Sequence, residues 1–216
     1  MSTLSRTGAA CLLLGPLAGL ASVLVARTES LRPADLAAAF TAHPGATHLG
    51  YGINAVATVL MAAGLIWVAW RAHDRSPRLA VTGAVLGMLG LFSIMMDDAV
   101  HLAGSLVVSG LTPAQATPIL HRLTSGGIVT AGVLSELVDI GVILLAVAVS
   151  RIGVPRWACA VMATGAVVEG VGFSAGSQYL AAVGFALTFA GIAVVVRTSL
   201  VAAPGNLTAP IATQSA

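Results

Sequence analysis

The stretch AVTGAVLGMLGLFSIMMDDAVHLAGSLV, residues 80–107, decides how the rest of the chain is interpreted. It stays apolar for longer than the roughly 20 residues that a helix needs to cross a bilayer. Near its end it nevertheless carries two adjacent aspartates and a histidine, Asp97, Asp98 and His101. The stretch therefore predicts a membrane-spanning helix, and it raises the question of what ionisable side chains do inside one.

The composition of the whole chain is that of a membrane protein. Of its 216 residues, 57% are hydrophobic and only 8% are charged, and the mean hydropathy is +0.97. Soluble domains carry about 25% charged residues, so this chain has too little polar surface for a soluble globule. The net charge of +2 comes from dispersed arginines without a basic cluster, so we expect no nucleic-acid partner. Cys11 and Cys159 predict neither a disulfide framework nor a metal site, because they lie singly in apolar segments.

Six apolar segments are long enough to cross a bilayer, and no alternating pattern indicates a barrel. Because lipid offers the backbone no hydrogen-bond partner, each segment is predicted to be a helix. We therefore predict an all-α polytopic bundle in the cell membrane. Residues 1–198 form its single domain, and residues 199–216 form a disordered cytoplasmic tail. The first segment has the length of a full span and no polar cleavage region, which favours a retained helix over a signal peptide. The predicted spans are 8–26, 50–70, 80–107, 127–149, 157–175 and 179–196.

The arginines give the orientation of the bundle. With six spans, most of them fall on one side of the membrane, and the positive-inside rule then places both termini in the cytoplasm. The arginines on that side are Arg6, Arg71, Arg75, Arg78, Arg151, Arg156 and Arg197, against Arg27, Arg32 and Arg122 on the other.

Glycines four residues apart predict that some of these helices pack closely. Residues 172–176, GFSAG, also match the G-x-S-x-G pattern of hydrolases, which needs a strand, a tight turn and a helix. Since the pattern here ends a membrane helix and no histidine follows it, we interpret it as helix packing. The glycine pairs are Gly15 with Gly19, Gly83 with Gly87, and Gly172 with Gly176.

Five carboxylic acids fall at membrane positions, and no arginine or lysine lies inside a predicted span. Counted at about 1.5 Å per residue from the outer ends of their helices, most lie about 10–20 Å deep, in one layer of the outer half of the bilayer. Tyr51 and Asn54, at the outer end of the second span, lie near this layer. His101 is three or four residues from the aspartates of its own helix, so it can contact either one. The acids are Asp97, Asp98, Glu136, Asp139 and Glu169.

An acid at such a position is costly unless it is protonated, bound to a metal ion or placed in a hydrated cavity, and each of these solutions indicates a functional site. The structural alternative is that the acids only hydrogen-bond between helices. We predict a catalytic role for Asp97, Asp98, His101, Glu136, Asp139 and Glu169, and a substrate-binding role for Tyr51, Asn54 and Ser174.

Two cofactor hypotheses compete with these assignments. The pairs spaced three apart in the third and fourth spans are similar to those of di-metal carboxylate bundles, but such bundles have two histidines in the layer. His43, His48 and His121 could join His101 around a haem, although nothing in the sequence fixes their spacing. We therefore predict no metal and no cofactor, with a metal- or haem-dependent oxidoreductase as an alternative.

The chain resembles a large group of small actinobacterial membrane proteins. The matching features are RTGAACLLLGPLAGL (6–20), LAAAFTAHPGATHLGYG (36–52), an acid in the third span and VPRW (154–157). In size, helix number and buried acids it is also similar to the bacterial membrane meroterpenoid cyclases of drimentine-type pathways. It resembles the fungal pyripyropene-type cyclases as well, but departs from them in helix number, because they have seven helices. This resemblance implies a membrane-bound cyclase of secondary metabolism, in which buried carboxylic acids protonate an epoxide or a terminal alkene. It assigns no individual residue.

The function predicted from the sequence is therefore an intramembrane terpene cyclase that cyclises a prenylated, for example farnesylated, small molecule. A carboxylic acid among apolar helices can remain protonated and donate its proton, and a second acid or a histidine can return it. The expected partners are this lipophilic substrate and the lipid bilayer, and a homo-oligomer is left open. The alternatives are a proton- or ion-coupled small transporter and a non-catalytic membrane protein.

Overall fold

A computed structural model describes residues 3–26, 32–125 and 133–201 of the chain, and all regular secondary structure in these ranges is helical. Of the predicted tail, residues 199–201 continue the last helix, and residues 202–216 lie outside the described ranges. The helices are α1 (Thr3–Ala26), α2 (Pro33–Ala42), α3 (Pro44–Ala72), α4 (Pro77–Val107), α5 (Pro113–Leu123), α6 (Leu137–Ser150), α7 (Arg156–Ser174) and α8 (Gln178–Val201).

Six helical segments of the described residues are long and apolar enough to cross a membrane, namely α1, α3, α4, α7, α8 and the segment Val133–Ser150 that contains α6. This confirms the predicted all-α multi-pass bundle. The second and third spans start earlier than predicted, at Pro44 and Pro77, because proline suits the first turn of a helix. Residues 133–135 form a helical turn ahead of α6, and the helix is interrupted at Glu136. The predicted start of this span, at residue 127, lies outside the described ranges.

The spanning helices form a closed ring in the order α1, α3, α4, α6, α7 and α8, and α8 packs back against α1. Helix α3 also contacts α6 across the ring. Glycines allow the closest of these approaches, as predicted for Gly83 and Gly87. A Cβ atom added to Gly141 of α6 would overlap the backbone of both α4 glycines. The backbones of α4 and α6 therefore pack directly against each other.

The prediction that Gly172 and Gly176 form a packing pair is wrong for Gly176. Gly172 does pack against Ala181 of α8, but Gly176 lies beyond the end of α7 with φ = +69°. The Ser177 N–H donates to the Gly172 carbonyl at 2.8 Å, and the Gly176 N–H donates to the Phe173 carbonyl at 2.9 Å. This is the Schellman motif that ends many helices, and its left-handed residue favours glycine. Gly176 therefore terminates a helix instead of packing two together.

The sequence analysis did not predict the two short helices α2 and α5, which pack against each other. Both begin at proline, and Thr112 and Gln115 form a capping box at the start of α5. Leu36, Phe40 and Leu120 are fully buried between them. The sequence does not predict these helices, because both are too short to span a bilayer and the length of an apolar run is the signal that marks a helix in this chain.

The two ends of the ring differ in their loops. The arginine-bearing α3–α4 and α6–α7 connections lie at one end, which we call the arginine end, and α2 and α5 lie at the other, the cap end. Trp67 of α3 packs against Gly8 of α1, and the Arg71 guanidinium donates to the Ser199 carbonyl at 3.1 Å. The start of α1 and the end of α8 therefore both lie at the arginine end, as an even number of spans requires.

Candidate functional site

The cap half of the ring contains a partly open cavity of about 150 Å³, which is lined by residues of all six spans. Apolar side chains form part of its surface, among them Met61, Leu91, Ile94, Phe173 and Phe185. The arginine half, by contrast, is filled by fully buried side chains such as Leu12, Leu65, Leu145, Met162 and Ile192. The polar side chains that line the cavity are Ser22, Tyr51, Asn54, Thr58, Asp97, Asp98, His101, Ser135, Glu136, Asp139, Glu169 and Gln178.

Asp98 is held in the cavity by a short chain of hydrogen bonds across three helices. The Asn54 amide of α3 donates to the Asp98 carboxyl at 2.8 Å, and the Ser22 hydroxyl of α1 lies 3.2 Å from the Asn54 amide oxygen. Asp98 is buried, with 8% of its surface exposed. Because these hydrogen bonds fix one carboxyl oxygen, Asp98 occupies a defined position in the cavity.

His101 pairs with Asp97 instead of Asp98. Its Nδ1 atom lies 3.0 Å from the Asp97 backbone carbonyl and 3.2 Å from the Asp97 carboxyl group. The imidazole also stacks on the Tyr51 ring, with centroids 5.6 Å apart and planes 6° apart. Tyr51 in turn contacts Phe40 of α2 edge to face. This line of rings connects the cap helices to the cavity. Asp97, Asp98 and His101 are called the first acidic cluster below.

Glu136, Asp139 and Glu169 form a second acidic cluster in the same cavity. Gly170 of α7 lies directly against the carboxyl groups of Glu136 and Asp139, where an added Cβ would collide with both. These two carboxyl groups therefore lie beside each other at one glycine. Glu169, the residue before Gly170, lines the same cavity. Its backbone packs against Gly184 of α8, which fixes where its side chain begins.

Eight of the nine predicted site residues line the cavity, and Ser174 is the exception. Its exposed hydroxyl donates to Glu136 at 2.8 Å, so it positions an acid of the second cluster. Asp97 and Asp98 have separate partners, His101 and Asn54. The structure brings all five acids to one cavity, while their catalytic roles stay predictions.

The sequence analysis missed Ser22, Gln178 and the apolar side chains of the cavity. No sequence signal marked them, since a serine in α1 or a glutamine at the start of α8 is unremarkable before the ring is known. In the described residues, no three His, Cys, Asp or Glu side chains are arranged to hold a metal ion. His43, His48 and His121 do not line the cavity with His101.

The cavity is rich in carboxyl groups and poor in cations. None of the described residues that line it is an arginine or a lysine, and His101 is the side chain there that can carry a positive charge. Such a surface can donate protons, accept protons or hold a positively charged species. Comparisons with known protein families, curated proteins and solved structures find no match for this chain.

Proposed function

We propose that this cavity is the active site of a membrane-bound terpene cyclase, which begins the cyclisation of a lipophilic prenylated small molecule by protonating it. One observation carries the proposal: the five membrane acids, which lie on three helices, line a single partly apolar cavity. Acids placed only to join helices would have no reason to share one cavity. A cell-membrane location and a role in secondary metabolism belong to the same proposal.

The proposed reaction uses groups that the chain itself provides. A carboxylic acid donates a proton to a terminal alkene carbon or to an epoxide oxygen of the prenyl chain, leaving a carbocation. An internal alkene attacks this carbon and forms a ring, and a carboxylate then takes a proton from a neighbouring carbon. The product has the mass of the substrate, because one proton enters and one leaves. Carboxylates beside the ring also stabilise the developing positive charge.

Asp98 and Glu169 are the proposed proton donors. Asp98 is buried and fixed by Asn54, and the neighbouring Asp97–His101 pair can return a proton to it. Glu169 can exchange a proton with the Glu136–Asp139 pair in the same way. Both clusters therefore contain a proton donor and a group that can return a proton to it.

The size of the cavity limits how much of the substrate it takes. An apolar cavity of about 150 Å³ is known to hold a benzene-sized molecule. The cavity in this protein has about the same volume, so it can hold the reacting end of a prenyl chain. The rest of a farnesylated molecule must extend through an opening between helices or displace the side chains around it. A lipid-soluble substrate can enter sideways from the bilayer.

One feature favours a second candidate function, a proton- or ion-coupled transporter. Exchangeable acids in a cavity on one side of a membrane also suit a carrier that is open to that side. The filled arginine half lacks any described continuation of the cavity, so a carrier would need a second conformation. Proton flux in liposomes therefore separates a carrier from a cyclase.

A conversion assay tests the proposal. Membranes containing the protein are incubated with a panel of farnesylated acceptors without added metal, and products are separated by chromatography and mass spectrometry. We expect a new compound of unchanged mass, absent with Asp98→Asn or Glu169→Gln. The matched control is Asp74→Asn, which removes an exposed acid from the α3–α4 loop and should convert normally. No conversion, together with proton flux that depends on Asp98, would favour the transporter.

A further inference from the structure

The turn between α7 and α8 fixes the position of Gln178. The Schellman motif ends α7, and Ser177 then caps α8, because its hydroxyl accepts a hydrogen bond from the Leu180 N–H at 3.4 Å. Gln178 follows as the first residue of α8 and lines the cavity that contains the second acidic cluster. Backbone hydrogen bonds on both sides hold this residue, so its side chain need not contribute to the turn.

The amide oxygen of Gln178 is buried and accepts no hydrogen bond from the described residues. Buried polar atoms in folded proteins nearly always have a partner, which can be protein, water or ligand. Since the described residues offer this atom no donor, and since Gln178 lines a cavity, the missing donor is expected to come from what occupies that cavity.

The neighbouring polar groups supply acceptors. Glu136, Asp139 and Glu169 present carboxyl oxygens, and the Ser174 hydroxyl already donates to Glu136. In the described lining, arginine and lysine, the side chains that only donate, do not occur. Opposite the Gln178 amide oxygen, a neutral ether or ester would place a further acceptor, whereas an O–H or N–H group would supply the donor that this oxygen lacks.

We propose that Gln178 determines specificity by accepting a hydrogen bond from the head group of a lipophilic ligand. The ligand class is an apolar chain that ends in an O–H or N–H group, with the chain against side chains such as Met61 and Phe185. This role of Gln178 extends the proposed function. It rests on that function in one respect only, that the cavity binds a lipophilic small molecule. Binding of the head group requires no turnover.

Two photoaffinity probes that differ by one methyl group test this inference. One is an alkyl chain with a diazirine and an alkyne, ending in a phenol, and the other is its methyl ether. The full chain in membranes is irradiated with each probe, and labelled peptides are identified by mass spectrometry. We expect the phenol to label residues of α7 and α8 about threefold to tenfold more than the ether, which is the range of one net hydrogen bond. Equal labelling by the two probes would overturn the proposal.

Variants of Gln178 sharpen the result. Gln178→Met keeps the length of the side chain without the acceptor, and it should lower phenol labelling to the level of the ether. Gln178→Glu keeps an acceptor and should retain the preference, whereas Gln178→Leu also removes the acceptor and serves if the methionine variant does not fold. Tyr179→Phe, at an exposed neighbouring position, is the matched control and should behave like the parent. A full phenol preference in Gln178→Met would contradict the assignment.

The labelling result and the conversion assay can fail independently. A phenol preference that depends on Gln178, without any cyclised product, supports the head-group site and counts against the cyclase. A cyclised product without a phenol preference supports the cyclase and overturns the role of Gln178.

Discussion

The arginine half and the cap half of the bundle are built from the same six helices but differ in what fills the space between them. In the arginine half, aliphatic side chains and glycine contacts leave the interior closed, with Leu65 and Leu145 fully buried. In the cap half, the same helices carry acids into a cavity. One half is thus organised for stability, and the other keeps groups that a stable bundle would not need. Substitutions in the two halves should therefore have different consequences.

The largest expected effect on stability comes from Gly141→Val, where α4 and α6 meet. The new side chain would collide with the backbone of Gly83 and Gly87, which cannot move without separating the helices. We expect a loss of about 3 kcal/mol or more in the free energy of unfolding, measured by titration with a denaturing detergent in mixed micelles. Gly52→Val is the matched control, because nothing lies within 4 Å of its added Cβ. Equal stability of the two variants would show that the helices do not pack as described.

Asn54→Leu should cost about 2 kcal/mol, because it leaves a buried Asp98 oxygen without its donor. Conversion of the farnesylated substrate should fall as well, since the acid loses its fixed position. The matched control is Gln115→Leu, which removes an amide from the capping box of α5. It should lower stability by at most about 1 kcal/mol and leave conversion unchanged. If Gln115→Leu lowered conversion as much as Asn54→Leu, the loss in Asn54→Leu would not be due to the position of Asp98.

Gly170→Ala tests a tight glycine contact in the cap half. Its Cβ would meet the carboxyl groups of Glu136 and Asp139, which are the ends of flexible side chains and can shift. We therefore expect a change of about 1 kcal/mol or less in stability, but a reduction of about tenfold in conversion. Stability is read from the same micelle titration. A loss of stability as large as that of Gly141→Val would erase the distinction between the two halves.

Ser174→Ala should have the smallest effect. The serine is exposed and its hydroxyl donates to Glu136, so its loss should change stability by no more than about 0.5 kcal/mol. Conversion should fall only severalfold, because Glu136 keeps its contact with Asp139. Complete loss of conversion would instead give Ser174 a direct part in the reaction, as its predicted role in substrate binding allows.

The spans were predictable because each is a long apolar run whose physical constraint is the thickness of the bilayer. The layer of acids was predictable too, since Asp98 and Glu169 stand out against such runs and helix geometry gives their depth. The order of the helices in the ring was not predictable. Lipid-facing and interior positions are equally apolar, so the hydropathy pattern does not separate them. Gln178 and Ser22 were not predictable, because their importance depends on which helices meet.

The conversion assay on Asp98→Asn and Glu169→Gln, with unfolding measured on the same preparations, tests the central claim most directly. If the acids act chemically, both variants should fold with the stability of the parent and lose about a hundredfold or more of the unchanged-mass product, while Asp74→Asn retains it. If the acids only join helices, the same variants would lose stability and the parent would form no product. That second result would contradict the account.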